Sequence, residues 1–275
     1  MDAHRARRRF GQNFLVDPGA IAAIVAAVDP RPGDTVVEIG PGLGALTGPL
    51  ARAAGELHVI ELDRDLASTL PARLPGAALN IHQGDVLRFD FDRLPPPLRV
   101  VGNLPYNISS PILLRLVDIA DRLRDAHVML QREVALRIAA DPGTGDYGRL
   151  SVVLQYRFEV EHLFDLGPHA FRPAPKVHSS VVRLQPRPAT RPRARDEHAF
   201  SRVVQAAFSQ RRKMLRNTLR GLFDEARLAA LGVDPAARAE TLEVSDFIRL
   251  ADACPAAVPG EVLPEDPSID AGPRA

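Results

Sequence analysis

The chain has 275 residues, 45% of them apolar, and a formal net charge of +1 at pH 7. That allows one large domain, a smaller one and a sizeable core, and it leaves no net charge to steer the protein toward a polyanion or a membrane. Its single cysteine, Cys254, excludes an intramolecular disulfide and a cysteine-built zinc site and fits a reducing compartment, and no apolar run approaches a membrane span.

In chain order, residues 1–9 hold Arg5, Arg7, Arg8 and Arg9, a basic arm with no signal-peptide core behind it. Only Lys176 and Lys213 are lysines and arginine is abundant throughout, so no arginine run by itself marks a nucleic-acid contact. Phe10 to Val16 is too aromatic for a free linker and is expected to dock. Asp17-Pro18 reads as N-cap and first residue of a helix whose apolar face is Ile21, Ile24, Val25 and Val28.

Residues 34–39 read as a buried strand, 40–44 as a tight glycine turn and 45–54 as a helix. Further strands are predicted at 57–60, 78–82, 99–102 and 126–130, with helices following Asp63 and over 111–120. This alternation predicts an α/β fold with a parallel sheet. Residues 150–158 fit helix and strand equally. Residues 160–166 and 178–184 read as an antiparallel pair at the sheet edge, 186–195 as a Pro- and Arg-rich linker, and 197–253 as helical. Residues 255–275, with five prolines and no aromatic, are expected to be disordered.

Three features carry chemistry. Gly40, Gly42 and Gly44 follow a strand and open a helix, which suits close approach of a ligand to the backbone. Gly40-x-Gly42-x-x-Ala45, with Glu61 about 20 residues on, also satisfies a relaxed dinucleotide fingerprint, so a nicotinamide enzyme fits this stretch too. Glu38, Glu61, Asp85 and Asn103 each fall at a strand's carboxyl end, where open parallel sheets bind ligands. Glu61 can accept from ribose hydroxyls and Asp85 from an exocyclic amino group. One acid per strand makes no metal cage. Finally, Asn103-Leu104-Pro105-Tyr106 sets an amide beside an aromatic face at a stiff strand exit.

The spacing of Glu38-Ile39-Gly40-Pro41-Gly42, Glu61-Leu62-Asp63, Gly84-Asp85 and Asn103-Leu104-Pro105-Tyr106 resembles S-adenosylmethionine-dependent methyltransferases acting on adenine N6. More narrowly, Arg9-Phe10-Gly11-Gln12-Asn13-Phe14-Leu15, Tyr147-Gly148-Arg149-Leu150-Ser151, Phe171 to Val177 and Phe208 to Lys213 resemble the ribosomal RNA adenine dimethyltransferase family, in order, over residues 5–253. Within it, the bacterial members that dimethylate two adjacent adenines near the 3′ end of small-subunit ribosomal RNA are the most similar.

The resemblance implies a Rossmann-like, mostly parallel seven-stranded sheet with a small all-helical C-terminal domain. It divides the chain into a basic arm and cofactor-covering motif (1–16), a catalytic domain (17–185), a linker (186–195), a helical RNA-binding domain (196–254) and a tail (255–275). S-adenosylmethionine is the implied cofactor, bound by Asn13, Leu15, Gly40, Glu61, Asp85 and Asn103. Asn103, Leu104 and Tyr106 are the implied catalytic residues, and Tyr106 and Phe171 the rings on either side of the target base. Arg211, Arg212, Lys213, Arg216 and Arg220 are expected to contact RNA, with Arg212, Arg216 and Arg220 four apart on one helix face. The implied partner is small-subunit ribosomal RNA or the immature small subunit, met in the cytoplasm by a monomer, with no metal and no membrane. The readings in competition are a large-subunit methyltransferase conferring antibiotic resistance, a nicotinamide oxidoreductase, and a ribosome-assembly factor that only binds.

Overall fold

A computed structural model describes residues 12–254; the expectations for the basic arm and the Pro-rich tail fall on residues outside that range. The elements in chain order are β1 (Phe14–Leu15), α1 (Pro18–Val28), β2 (Thr35–Ile39), α2 (Thr47–Ala54), β3 (Leu57–Glu61), α3 (Arg64–Arg73), β4 (Leu79–Gln83), β5 (Leu98–Asn103), α4 (Ser109–Asp118) and β6 (Leu123–Gln131). Then come α5 (Arg132–Ala139), α6 (Arg149–Arg157), β7 (Phe158–Leu166), β8 (Phe171–Arg172), β9 (Ser179–Pro186), α7 (Glu197–Ala207), α8 (Leu215–Thr218), α9 (Glu225–Ala230) and α10 (Val244–Ala253).

The chain forms two compact units, with residues 136–157 grouped with the C-terminal helices rather than with the sheet. The expected boundary at 185 falls at the division after Pro186, but the expected unbroken 17–185 domain loses 136–157, so the smaller unit is discontinuous. The sequence reading left 131–140 unassigned and 150–158 ambiguous, and both are helical. Tyr147, Val152 and Tyr156 bury their side chains with Phe200, Val203 and Phe247 in that unit's own core. Burial against α7 and α10 thus decides what local pattern left open.

The larger unit is built on a seven-stranded sheet in the order β4-β3-β2-β5-β6-β9-β7. Its first five strands are parallel, and β9 runs antiparallel to both β6 and β7, as expected for the edge pair. The strand order reverses direction between β2 and β5, the place where sheets of this kind open a crevice at their carboxyl ends. Register aligns those ends: Ile39 pairs with Ile60 and with Gly102, and Glu61 with Gln83. A Cβ at Gly102 would lie 2.8 Å from the Ile39 carbonyl oxygen, so only glycine lets β5 sit this close to β2.

At the opposite end of the sheet, buried Arg99 binds Asp125 at 2.7 Å and Asp34 at 3.0 Å, and also donates to the carbonyls of Val28 and, at 2.9 Å, Asp29. One guanidinium thereby ties the end of α1 to β5, β6 and the segment before β2. As expected, α1 begins with the Asp17 carboxylate accepting the Ala20 N–H at 2.7 Å and Pro18 in the first turn.

Candidate active site

A cavity of about 350 Å³ opens where the strand order reverses. Of the residues predicted to form the site, Asn13, Gly40, Glu61, Asp85, Asn103, Leu104 and Tyr106 line it. Gly40 adopts φ +68° and receives Ile60's strand, its N–H donating to the Ile60 carbonyl at 2.9 Å. A Cβ placed there would meet nothing nearer than the Asn103 carbonyl oxygen at 4.0 Å, so the bare backbone faces open space. Gly42, at φ +56°, lies under the Phe14 ring, 3.1 Å from where a Cβ would stand.

Glu61 is 6% exposed. One carboxylate oxygen accepts the Asp63 N–H at 2.8 Å and the other the Gly42 N–H at 3.3 Å, so the acid also braces the glycine turn. Burial raises its pKa against those two hydrogen bonds. Asp85 accepts the Leu87 N–H at 3.0 Å as the cap of a short 3₁₀ turn and still borders the cavity.

Glu38, only 2% exposed, lies behind the turn. Burial pushes its carboxyl up to about 8, the Glu61 carboxylate adds to the rise and the Thr47 hydroxyl opposes it. Among the described residues its Oε2 atom has no hydrogen-bond partner. The expectation that Glu38 would border the crevice with the other strand-end residues is not met; its carboxyl is enclosed by protein.

Asn103 is fixed from an unexpected direction. Its Nδ2 donates to the Asn13 backbone carbonyl at 2.8 Å, so the amide oxygen is left as the acceptor. Leu104 N–H donates to the Met129 carbonyl at 3.1 Å, which holds the next peptide. Tyr106 starts a 3₁₀ turn, and its hydroxyl shares a 2.6 Å hydrogen bond with Ser179. Burial raises the pKa of this phenol, and the Ser179 bond opposes the rise.

Two predicted residues are not in the cavity. Leu15 is 5% exposed and Phe171 fully enclosed, and both belong to the core formed with Ile24, Val28 and Leu50. The reason is strand periodicity. Leu15 pairs directly with Phe171 across the β1–β8 ladder, while Phe14, one residue back, points to the other face and covers Gly42. Tyr106 therefore faces the cavity and the Phe171 ring does not.

The sequence reading missed the apolar walls: Ile39, Ile60, Leu62, Leu66, Val86 and Ile112. Leu62 carried a signal, a large apolar residue between two strand-end acids, and it is 49% exposed at the cavity. The donor set fits S-adenosylmethionine. Open backbone at Gly40 admits a ligand, apolar walls suit an adenine ring, and carboxylates beside them suit a cation that carries hydroxyls and an amino group.

The predicted RNA contacts lie in the helical unit. Residues 211–214 form a turn, and α8 is only four residues long, so Arg212, Arg216 and Arg220 do not share the expected helix face. Arg211 is exposed and bonds to the Gly145 carbonyl, approaching Glu240 at 3.6 Å. Arg216 pairs with Glu225 at 3.8 Å, and Arg212, Lys213 and Arg220 are exposed.

Strand order, the glycine turn and the acids at successive strand ends define a Rossmann-like, S-adenosylmethionine-dependent methyltransferase. Solved structures agree: the fold resembles a dimethyladenosine transferase from Plasmodium falciparum (TM-score 0.73, 24% identity, 86% of this chain and 95% of that one). It also resembles the 23S rRNA methyltransferase ErmE (TM-score 0.66, 30% identity, 88% and 99%). The chain belongs to the Ribosomal RNA adenine dimethylase family, whose model matches residues 3–254. A protein of Aromatoleum aromaticum named Ribosomal RNA small subunit methyltransferase A is 59% identical over 250 residues, 91% of this chain and 94% of that one. A protein of the same name from Dechloromonas aromatica is 52% identical, over 92% and 99%.

Proposed function

We propose that this protein transfers methyl groups from S-adenosylmethionine to N6 of two adjacent adenines near the 3′ end of small-subunit ribosomal RNA. The observation that carries this reading is the Asn103 amide, locked by Asn13 so that its oxygen remains the acceptor beside Tyr106. Identity of 59% to a small-subunit enzyme, against 30% to ErmE, favours the small subunit over the large one.

Adenine N6 is a poor nucleophile because its lone pair is delocalised into the ring. The Asn103 oxygen and the Leu104 carbonyl can accept the two amino hydrogens and turn the lone pair out of the ring plane. These bonds strengthen as positive charge grows on N6, so they lower the barrier rather than only aid binding. The bound cofactor supplies an electrophilic methyl on its sulfonium. Gly40, Glu61 and Asp85 would hold it, Glu61 at the ribose and Asp85 at the adenine. The cavity aligns the two reactants, so no strong base is required and the N6 proton leaves after attack. Tyr106 offers a stacking face to a base swung out of its helix.

Arg211, Arg212, Lys213, Arg216 and Arg220 are exposed cations suited to phosphate contact, Arg211 and Arg216 each also near a glutamate. The partner is the immature small subunit, met in the cytoplasm where ribosomes assemble, and a monomer suffices because one chain lines the whole cavity. Among the described residues no helix is long and apolar enough to cross a membrane.

The test is incubation with labelled S-adenosylmethionine and undermodified small subunits, followed by mapping of the methylated nucleotides. Label on two adjacent adenines near the 3′ end is expected; label on large-subunit RNA overturns the reading.

A further inference from the structure

One strand along the same sheet edge lies a second, open groove of about 590 Å³, lined by Gln131, Arg132, Glu133, Asp165, Val177 and His178. Its place relative to the cavity is set by direct contacts. Tyr106 reaches Ser179 at 2.6 Å, Ser179 is the cross-strand partner of Gln131, and the Arg132 N–H donates to the His178 carbonyl at 2.9 Å. Neighbouring strands stand about 5 Å apart, so the groove begins one or two strand spacings from Tyr106.

The groove is built, not merely exposed. Asp165 organises one wall: it accepts from Ser180 at 2.5 Å and from Arg132 at 2.9 Å, and lies 2.8 Å from His162 Nε2. The Ser180 bond outweighs the opposing effect of burial and, with the His162 and Arg132 bonds, holds its carboxyl at about 2. The Arg132 fork is anchored through Nε to Asp165 among the described residues and remains 51% exposed. Opposite it, His178 is exposed and Val177 is 43% exposed, an imidazole and an aliphatic surface side by side. Gln131 supplies an amide that can bond an amino group and the ring nitrogen next to it.

We propose that this groove receives the nucleotide next to the target adenine. The inference rests on the functional reading above. Swinging one base out of a strand leaves its neighbour unstacked on one side, at a cost. A flat ring and an aliphatic patch one strand away replace that lost stacking. Gln131 reads the neighbour's edge, and the free face of Arg132 meets the phosphate that joins the two nucleotides. With the adjacent adenine held here, the pair is recognised as a unit, and exchanging the two bases between cavity and groove presents each in turn.

The experiment compares full-length wild type, His178→Ala, Gln131→Ala and His178→Phe on two particles: undermodified small subunits with the native adenine pair, and reconstituted ones with one of the two adenines changed to uridine. Each is assayed for kcat/KM of methyl transfer, with S-adenosylmethionine affinity measured by calorimetry. Wild type is expected to prefer the native pair about tenfold. His178→Ala and Gln131→Ala should lose about that factor on the native pair and almost nothing on the uridine particle, with cofactor affinity unchanged. His178→Phe should keep most of the activity by preserving the stack. An active wild type whose alanine variants retain the full preference overturns the groove assignment, as does a loss that ignores the neighbour's identity. Absence of any transfer by wild type overturns the functional reading and the groove with it.

Discussion

The carboxyl edge of the sheet and the turn at residues 208–214 carry the two halves of the proposed activity, and they are made differently. At the sheet edge the site residues are held by fixed groups, Tyr106 by the Ser179 hydroxyl and the others by backbone. Asn103 is gripped by the Asn13 carbonyl, Glu61 by two N–H groups, and Gly102 by its fit against Ile39. In the turn, the cations hang on long exposed side chains: Arg211 reaches the Gly145 carbonyl, and Arg212 and Lys213 stand at the surface. Chemistry on one nitrogen needs a fixed direction, whereas a phosphate needs only a charge within reach. Substitutions at the edge should therefore act steeply and specifically, and those in the turn weakly and additively.

The largest effect is expected beneath the sheet. Arg99→Met leaves buried Asp125 without its guanidinium and Asp34 with Arg124 alone, and should cost about 3–5 kcal/mol of stability. Urea unfolding followed by circular dichroism measures it, and a loss under 1 kcal/mol would mean that the sheet does not depend on this tie. Next, Asn103→Ala should lower single-turnover methyl transfer by about 10²–10³-fold while moving cofactor affinity far less. Wild-type turnover in that variant would sink the acceptor mechanism.

The third prediction concerns pH. Glu38 has a folded pKa of about 8 against 4.5 for a free glutamate. Between these values the folded protein binds more protons than the unfolded chain, so stability is greatest at the acid side and is lost as pH rises through 8. Glu61 is shifted in the same direction. The slope attributable to Glu38 should approach about 1.4 kcal/mol per pH unit. Glu38→Gln should flatten it, as read from denaturant midpoints across pH 5–9. An unchanged slope would place the titration elsewhere.

The smallest effect tests the turn. Arg212→Ala and Lys213→Ala should each weaken RNA binding across all sequences and reduce the slope of log K against log salt by about 1, with single-turnover chemistry on saturating substrate intact. If either variant abolished chemistry instead, the contrast between the two regions would fail.

Much of the sheet was legible because its signals are local. β-branched runs, glycine turns and strand-end acids recur at spacings that only a βα alternation accommodates, and they located Gly40, Glu61, Asp85 and Asn103 correctly along one edge. Residues 197–253 are helical as expected, but the single helix face expected for Arg212, Arg216 and Arg220 is absent, because α7 ends at Ala207. Leu215 and Leu219 are fully buried, so a turn that brings them into the core outweighs helix propensity.

By itself, then, the order of residues determined the strand–turn–helix units, the acids at their ends, and the family resemblance that those spacings carry. Tertiary structure alone decided which side of β1 faces the ligand, placing Phe14 over the cavity and Leu15 in the core. It decided that Phe171 is buried, that residues 136–157 join the helical unit, and that Asn13 orients the Asn103 amide from 90 residues away. Local pattern reports what a segment prefers. Which face is buried and which carbonyl meets which amide depend on contacts between segments far apart in the chain.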